Sequence, residues 1–169
     1  MLVGIGYDVH RLQAGRPLIL GGVRIPFEYG LEGHSDADVI LHALMDALLG
    51  AAGLGDIGTH FPPGDPAYAG ADSLDLLRQV VALLKREGYC PVNVDITLLA
   101  ERPKIGPYVA AMKERISAVL GIPPRRVGIK ATTNEGLGFV GQGQGMAAFA
   151  VALVTETRPA GEAPPQAEA

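Results

Sequence analysis

The chain has 169 residues, enough to bury a core without disulfides or a structural metal. With 48% hydrophobic residues it is not a disordered chain, and a net charge of −4 without a long basic run argues against a nucleic-acid partner. The single cysteine, Cys90, excludes an intrachain disulfide and fits a reducing compartment; it reads as a packing residue.

In chain order, Leu2 to Val9 alternates into a strand that runs into Asp8-Val9-His10-Arg11. The beginning of the chain lacks the charged head and long apolar stretch of a signal peptide. No apolar run approaches the roughly 18–20 residues of a membrane span, so a cytoplasmic protein without membrane contact is expected. Pro17–Leu20, Gly21-Gly22 and Val23–Phe27 predict a hairpin with a glycine turn. Gly30–His34 reads as a loop, and Ser35 as the N-cap of a helix that continues to about Ala52, with Asp38 completing a capping-box variant.

The segment from Asp56 to Ala71 is rich in Gly, Pro and Asp and reads as a long, functional loop. Asp72 caps a second helix with apolar positions Leu74, Leu77, Val80, Val81 and Leu84, and Gly88 ends it. Val92–Leu99 predicts a strand, Pro107 opens a third helix ending at Gly121, and Val127–Ala131 predicts a short strand. The apolar run Ala147–Val154 has the pattern of a strand buried on both faces.

Residues 1–157 are therefore expected to form one domain, with 158–169, rich in Pro, Ala and Glu, as a disordered tail. The alternation of elements predicts an α/β or α+β fold with a mixed sheet and helices on one face. Gly136–Gly145 is neither a Walker loop nor a dinucleotide fingerprint, since it lacks both the lysine signature and a strand–turn–helix frame.

Asp8 and His10 stand two apart on a strand and share a face, which makes them a two-ligand clip for zinc or a similar metal. His42, in an otherwise apolar helix, is the candidate third ligand. Asp38, His42 and Asp46 follow at i, i+4 and i+8, so either carboxylate could orient the histidine; the stripe is equally a wet helix face with Asp38 as a cap. His34-Ser35, next to a helix start, is a candidate phosphate contact or simply a capping segment. His60 receives no role. On spacing alone, Glu101-Arg102-Pro103-Lys104 is a solvated turn, Thr132-Thr133 a strand end and Glu135 a surface residue.

Taken together, several motifs resemble the family of 2-C-methyl-D-erythritol 2,4-cyclodiphosphate synthases. They are Gly4-Ile5-Gly6-Tyr7-Asp8-Val9-His10-Arg11, Gly33-His34-Ser35-Asp36-Ala37-Asp38-Val39, and His42 through Gly50. Gly55-Asp56-Ile57-Gly58, Phe61-Pro62, Pro103-Lys104 and Lys130 through Phe139 complete the set. Each is suggestive alone; their joint order and spacing are specific and cover nearly the whole chain. The resemblance implies that 4-diphosphocytidyl-2-C-methyl-D-erythritol 2-phosphate is cyclised, its 2-phosphate attacking the β-phosphorus and CMP leaving. It also implies a homotrimer with active sites between subunits.

By the same resemblance, zinc is held by Asp8, His10 and His42, and magnesium or manganese by Glu135. His34 and Thr133 act on the phosphates as catalytic residues. Ser35, Asp56, Ile57, Gly58, Phe61, Asp65, Thr132 and Phe139 contact substrate. Ala100, Pro103, Lys104, Ile105, Gly106 and Ala131 hold the nucleotide. Asn134 stands where the family often has Thr. Gln142 stands where some members place an Arg linked to an apolar cavity on the trimer axis, and glutamine brings no charge for a diphosphate there. Two other readings use the same residues: a zinc-dependent nucleotide phosphohydrolase, and a non-catalytic trimeric metal- or anion-binding protein.

Overall fold

A computed structural model describes residues 1–157, and the expected tail at 158–169 lies outside the described residues. Strand β1 (Leu2–Ala14) is longer than its alternating pattern suggested. It is followed by the hairpin β2 (Leu18–Leu20) and β3 (Val23–Ile25), turning at Gly21-Gly22 as expected. Both turn glycines have positive φ, 56° and 73°, which a side chain would strain. The segment read as a loop at Gly30–His34 instead starts within strand β4 (Tyr29–Leu31), which pairs antiparallel with the end of β1. Three residues are too few for a periodic signal; the extra length of β1 gives them a partner.

Helix α1 spans Val39–Ala51, and its N-cap is Asp38 rather than Ser35. Ala37 has φ 57°, so the chain is not helical there, and the Asp38 carboxylate accepts from Leu41 N at 3.2 Å. The expected long loop contains a helical turn, α2 (Ile57–His60), capped by Asp56, and a 3-10 turn at Pro66–Tyr68 capped by Asp65. Helix α3 (Ser73–Arg86) has the predicted cap, Asp72, and buries the predicted apolar stripe. After β5 (Tyr89–Leu99), Pro107 lies in a 3-10 turn and helix α4 (Val109–Leu120) begins only beyond it, ending at left-handed Gly121. Strand β6 (Val127–Thr132), the short helix α5 (Gly138–Gly141) and β7 (Gly145–Glu156) complete the described chain.

The main sheet has the order β4-β1-β7-β5-β6. Only the β5–β6 pair is parallel, so the sheet is mixed as expected, and the hairpin forms its own two-stranded sheet. Helix α1 lies directly on β1. A Cβ built on Gly4 would stand 2.1 Å from the carbonyl oxygen of Ala47, and one on Gly6 2.0 Å from that of Ala43. These two glycines allow helix and strand backbones to touch, and α1 is consequently buried along nearly its whole length.

The opposite face of the sheet differs from expectation. Strand β7 is buried toward the helices through Ala148, Ala150, Ala152 and Val154, but Phe149 and Val151 are 42% and 43% exposed. Cross-strand pairing places them beside Tyr7 and Ile5, so β1 and β7 together leave an apolar strip open on the single chain. The apolar run therefore fills one face against helices and leaves the other without intrachain cover. Cys90, at the start of β5 opposite Thr155, is half-buried and unbonded.

Candidate metal centre and nucleotide cavity

Even-numbered residues of β1 face α1, as the glycine contacts establish, so Asp8 and His10 project toward the helix that carries His42. The three side chains converge. Asp8 Oδ2 lies 2.8 Å from His10 Nε2 and 3.1 Å from His42 Nδ1, and the two ring nitrogens are 3.1 Å apart. Among the described residues they form the group suited to hold a metal ion, with ligand atoms all within 4.8 Å of one another. A tetrahedral zinc with ligands at about 2.0–2.1 Å places neighbouring donors about 3.3 Å apart, so this donor set fits such an ion with little adjustment.

The orientation of His10 is unambiguous. Its Nδ1–H donates to the carbonyl of Glu32 at 2.7 Å, so the Nε2 lone pair faces the cluster. Burial opposes ionisation of Asp8, but hydrogen bonds and charge from His10 and His42 outweigh it and hold the carboxyl well below the usual range. Burial likewise opposes a charge on His10, and the hydrogen bond and charge of Asp8 overcome that and raise its pKa. When His10 does take up a second proton, that proton sits on Nε2 beside Asp8, in the position an ion would occupy.

The two carboxylates proposed to orient His42 are engaged elsewhere. Asp38, fully buried, accepts from the amides of Gly21, Gly22 and Leu41, so it ties the hairpin turn to the start of α1. Burial and the neighbouring Asp36 charge push its pKa up to about 7 against the pull of those amides. Asp46 accepts from Ile57 N at 2.8 Å and anchors α2, and burial raises its pKa. The groups that face Nε2, the nitrogen turned away from Asp8 and His10, are hydroxyls: Ser73 Oγ at 3.1 Å and Ser35 Oγ at 3.2 Å. Ser73 went unremarked in the sequence because it reads there as an ordinary residue of the first helical turn.

The cluster opens into a cavity of about 250 Å³ lined also by His34, Ser35, Ile57, Gly58 and Phe61. His34 Nε2 donates to the carbonyl of Asp65 at 2.9 Å, which ties the Pro-rich segment to a residue of the cavity wall. Arg16, which carried no sequence signal, donates to the carbonyls of Gly33 and Ser35 and fixes the loop bearing His34. The Asp56 and Asp65 carboxylates cap Thr59 and Ala67 and line neither this cavity nor the next. His60 donates to the Leu54 carbonyl.

A second cavity, of about 420 Å³, lies beside the ends of β5 and β6. Ala100, Pro103, Lys104, Ile105, Gly106, Ala131 and Thr132 all line it, with Glu101 and Thr133. The stretch read on spacing alone as a solvated turn thus forms a wall. Glu101 accepts from Asn134 N at 2.8 Å and pins the turn in which Thr133 Oγ1 donates to Glu135 at 2.8 Å. Glu135 has φ 51°, a backbone cost that this turn sustains. Phe139 and Glu135 line neither cavity, and the two cavities share no residue.

Residues 1–155 match the model of the YgbB family. A curated 2-C-methyl-D-erythritol 2,4-cyclodiphosphate synthase from Symbiobacterium thermophilum is 77% identical over 154 residues, covering 91% of this chain and 98% of that protein. The synthase of Bordetella petrii is 62% identical over 152 residues, 90% of this chain and 94% of the other. Among solved structures, a 2C-methyl-D-erythritol-2,4-cyclodiphosphate synthase in a CDP-bound form superposes with TM-score 0.83 at 40% identity, covering 90% of this chain and 99% of that one. The bifunctional IspDF of Campylobacter jejuni gives TM-score 0.88 at 41% identity over 92% of this chain, which spans 42% of that longer protein.

Proposed function

We infer the working chemistry from one premise: the chain belongs to the YgbB family, that of the 2-C-methyl-D-erythritol 2,4-cyclodiphosphate synthases, and is an enzyme of isoprenoid precursor synthesis. The reaction is a phosphorus–oxygen lyase step. An oxygen of the substrate's 2-phosphate forms a bond to the β-phosphorus, the bond from that phosphorus to the bridging oxygen breaks, and CMP departs with the electron pair. The nucleophile is already anionic near neutral pH, so no general base is needed. The task is to bring two anions together and to absorb charge on the leaving group.

The observation that carries this reading is the convergence of Asp8, His10 and His42 at the mouth of a cavity shared with His34 and Ser35. Zinc held by those three ligands would supply positive charge at the β-phosphate, and Glu135, with Thr133 beside it, would hold magnesium or manganese against the same phosphates. The Ser35 hydroxyl orients a phosphate oxygen. The Nε2–H of His34 exchanges the Asp65 carbonyl for a phosphate oxygen, loosening the segment that then folds over the substrate. Ile57, Gly58 and Phe61 enclose the methylerythritol part, with Asp56 and Asp65 shaping the turns around it. The nucleotide occupies the Ala100–Gly106 and Ala131–Thr132 cavity, where backbone groups of a Pro/Gly loop match the cytosine edge. A CDP-bound relative supports a nucleotide ligand of this kind.

Within one chain the metal ligands on β1 and the nucleotide wall on β6 are three strand steps apart, about 14 Å at about 4.8 Å per step. That separation supports sites completed by a neighbouring subunit, and the open apolar strip on β1 and β7 supports a homotrimer as the assembly. Among the described residues no helix is long and apolar enough to cross a membrane. A cytoplasmic location is proposed on the single cysteine, Cys90, which fits a reducing compartment.

Phosphorus NMR of the protein with the cytidyl substrate, zinc and magnesium tests the reading. Matched CMP and cyclic diphosphate, lost in His42→Ala, is the expected result. CMP with an open-chain bisphosphate would instead identify a phosphohydrolase, and no turnover by folded, zinc-loaded protein would leave a binding protein.

A further inference from the structure

Of the four histidines, three have the position of one ring proton set by a backbone carbonyl: His10 by Glu32, His34 by Asp65 and His60 by Leu54. A carbonyl only accepts, so the nitrogen facing it carries hydrogen. His42 is different. Its Nε2 faces two hydroxyls, Ser73 Oγ at 3.1 Å and Ser35 Oγ at 3.2 Å, and a hydroxyl can donate or accept. On its other side Nδ1 faces the Asp8 carboxylate at 3.1 Å, which would itself accept a hydrogen there, so the ring's immediate contacts alone do not leave Nδ1 bare for a metal.

The decision lies one bond further out. Ser73 Oγ is 2.5 Å from Asp36 Oδ1, and the Ser73 amide reaches Asp36 Oδ2 at 3.0 Å. Asp36 Oδ1 also accepts from Asp38 N at 3.1 Å. With two backbone amides pointing into it, the Asp36 carboxylate acts as acceptor, so the Ser73 hydroxyl spends its single hydrogen on Asp36. Ser73 Oγ then has only lone pairs to offer His42, which favours a hydrogen on the Nε2 facing it; Ser35 Oγ, already an acceptor for Ala37 N, can accept from that hydrogen as well. Ser73 is 0% exposed, so no solvent offers an alternative partner.

We propose that Asp36 and Ser73 are positioning residues for the metal centre: together they hold the hydrogen of His42 on Nε2 and so commit Nδ1 to the ion. This rests on the metal reading of Asp8, His10 and His42. The relay also ties the site to the fold. Asp36 lies in the loop before α1, Ser73 is the first residue of α3, and His42 is on α1, so three segments meet at one ring. Groups of this kind behind ligating histidines commonly affect metal affinity by 10–100-fold when removed.

The test is zinc affinity by chelator competition, with ring nitrogen NMR of the zinc-loaded protein. The wild type should show His42 coordinated through Nδ1 with a slowly exchanging hydrogen on Nε2. Ser73→Ala should lower zinc affinity at least about tenfold. Asp36→Asn, whose amide can donate to Ser73 and release the hydroxyl to turn on the ring, should lower it comparably. The double variant should be no worse than Ser73→Ala alone, because both changes break one relay. Additive losses would indicate two independent packing defects and overturn the proposal. Coordination through Nε2 in the wild type would do so without any variant, which covers the case in which Ser73→Ala does not fold. A wild type that takes up no zinc sinks the metal reading and the relay with it, whereas a wild type and a Ser73→Ala protein that bind zinc equally sink the relay alone.

Discussion

Protonation of His10 beside Asp8 gives the metal-free protein a pH dependence opposite to that of zinc binding. His10 has its pKa raised above the model-peptide value of 6.5, so its contribution to stability is present below 6.5 and is lost as pH rises through the folded value. Asp8, held below the ordinary 3.8, contributes above that value and loses its contribution only as pH falls toward its folded value. Asp38 acts in the same direction as His10: with a folded pKa of about 7, it costs stability progressively as pH rises from 3.8 through 7. Metal-free protein should therefore melt at lower temperature at ~pH 8 than at ~pH 5.5. Zinc must displace the His10 proton, so the increase in Tm on adding zinc should grow over the same interval. Differential scanning calorimetry with and without zinc checks both, and a zinc increment independent of pH would mean that no proton is displaced. The shared face of Asp8 and His10 was legible, because two residues apart on a strand means one face. The orienting partners were not. The stripe Asp38–His42–Asp46 suggested a carboxylate next to the ring, but in the fold those side chains take backbone amides of the Gly21-Gly22 turn and of Ile57. Such partners come from 11 to 17 residues away, a separation that no local pattern encodes.

At the scale of elements, the candidate metal centre depends on how closely α1 approaches β1. A methyl group on Gly6 would fall 2.0 Å from the Ala43 carbonyl oxygen and 2.7 Å from the Ala47 amide nitrogen, both backbone atoms of α1 that cannot move without the helix. Gly6→Ala should cost about 3 kcal/mol, the upper end of overpacking penalties, and should weaken zinc binding because His42 moves with the helix. Gly50, on the same helix, meets nothing closer than the Ile5 carbonyl at 4.0 Å. Gly50→Ala should instead stabilise by up to about 1 kcal/mol through helix propensity. Urea unfolding of both variants checks the pair, and equal effects would refute the contact argument. Helix α3 was readable from its periodicity, its Asp72 cap and its Gly88 stop, and the existence of α1 from its apolar run. The start of α1 was misplaced by three residues because both Ser35 and Asp38 are good caps and the sequence cannot show that Ala37 adopts a positive φ between them. Strand β4 escaped notice because its stability comes from pairing with β1 across 15 to 19 residues rather than from its own three residues.

For the whole molecule, the apolar run at the end of the chain was read correctly as a buried strand in composition and incorrectly in geometry for an isolated chain. Toward α1 it presents alanines small enough for the helix to sit close, while its other face shows Phe149 and Val151 next to Tyr7 and Ile5. Further along the same face, β5 and β6 turn polar, with Asp95 and Lys130 paired at 2.6 Å. An apolar half beside a charged half suits burial of the first against another copy while the second stays wet. If that copy also completes the site, assembly and catalysis should fail together while metal binding persists, because the three proposed metal ligands, Asp8, His10 and His42, all come from one chain. Ile5, 70% exposed, is the place to test it. Ile5→Glu puts a charge at the centre of the strip without touching the helix face of β1, so the chain should fold, sediment as a monomer and retain zinc. Its cyclase activity should drop by at least about 100-fold, the scale of a lost positioning interaction. Sedimentation velocity and phosphorus NMR on the same sample decide the matter. A monomer with undiminished turnover would place the complete site within one chain, which would require the nucleotide wall on β6 to reach the metal ligands on β1 across two intervening strands.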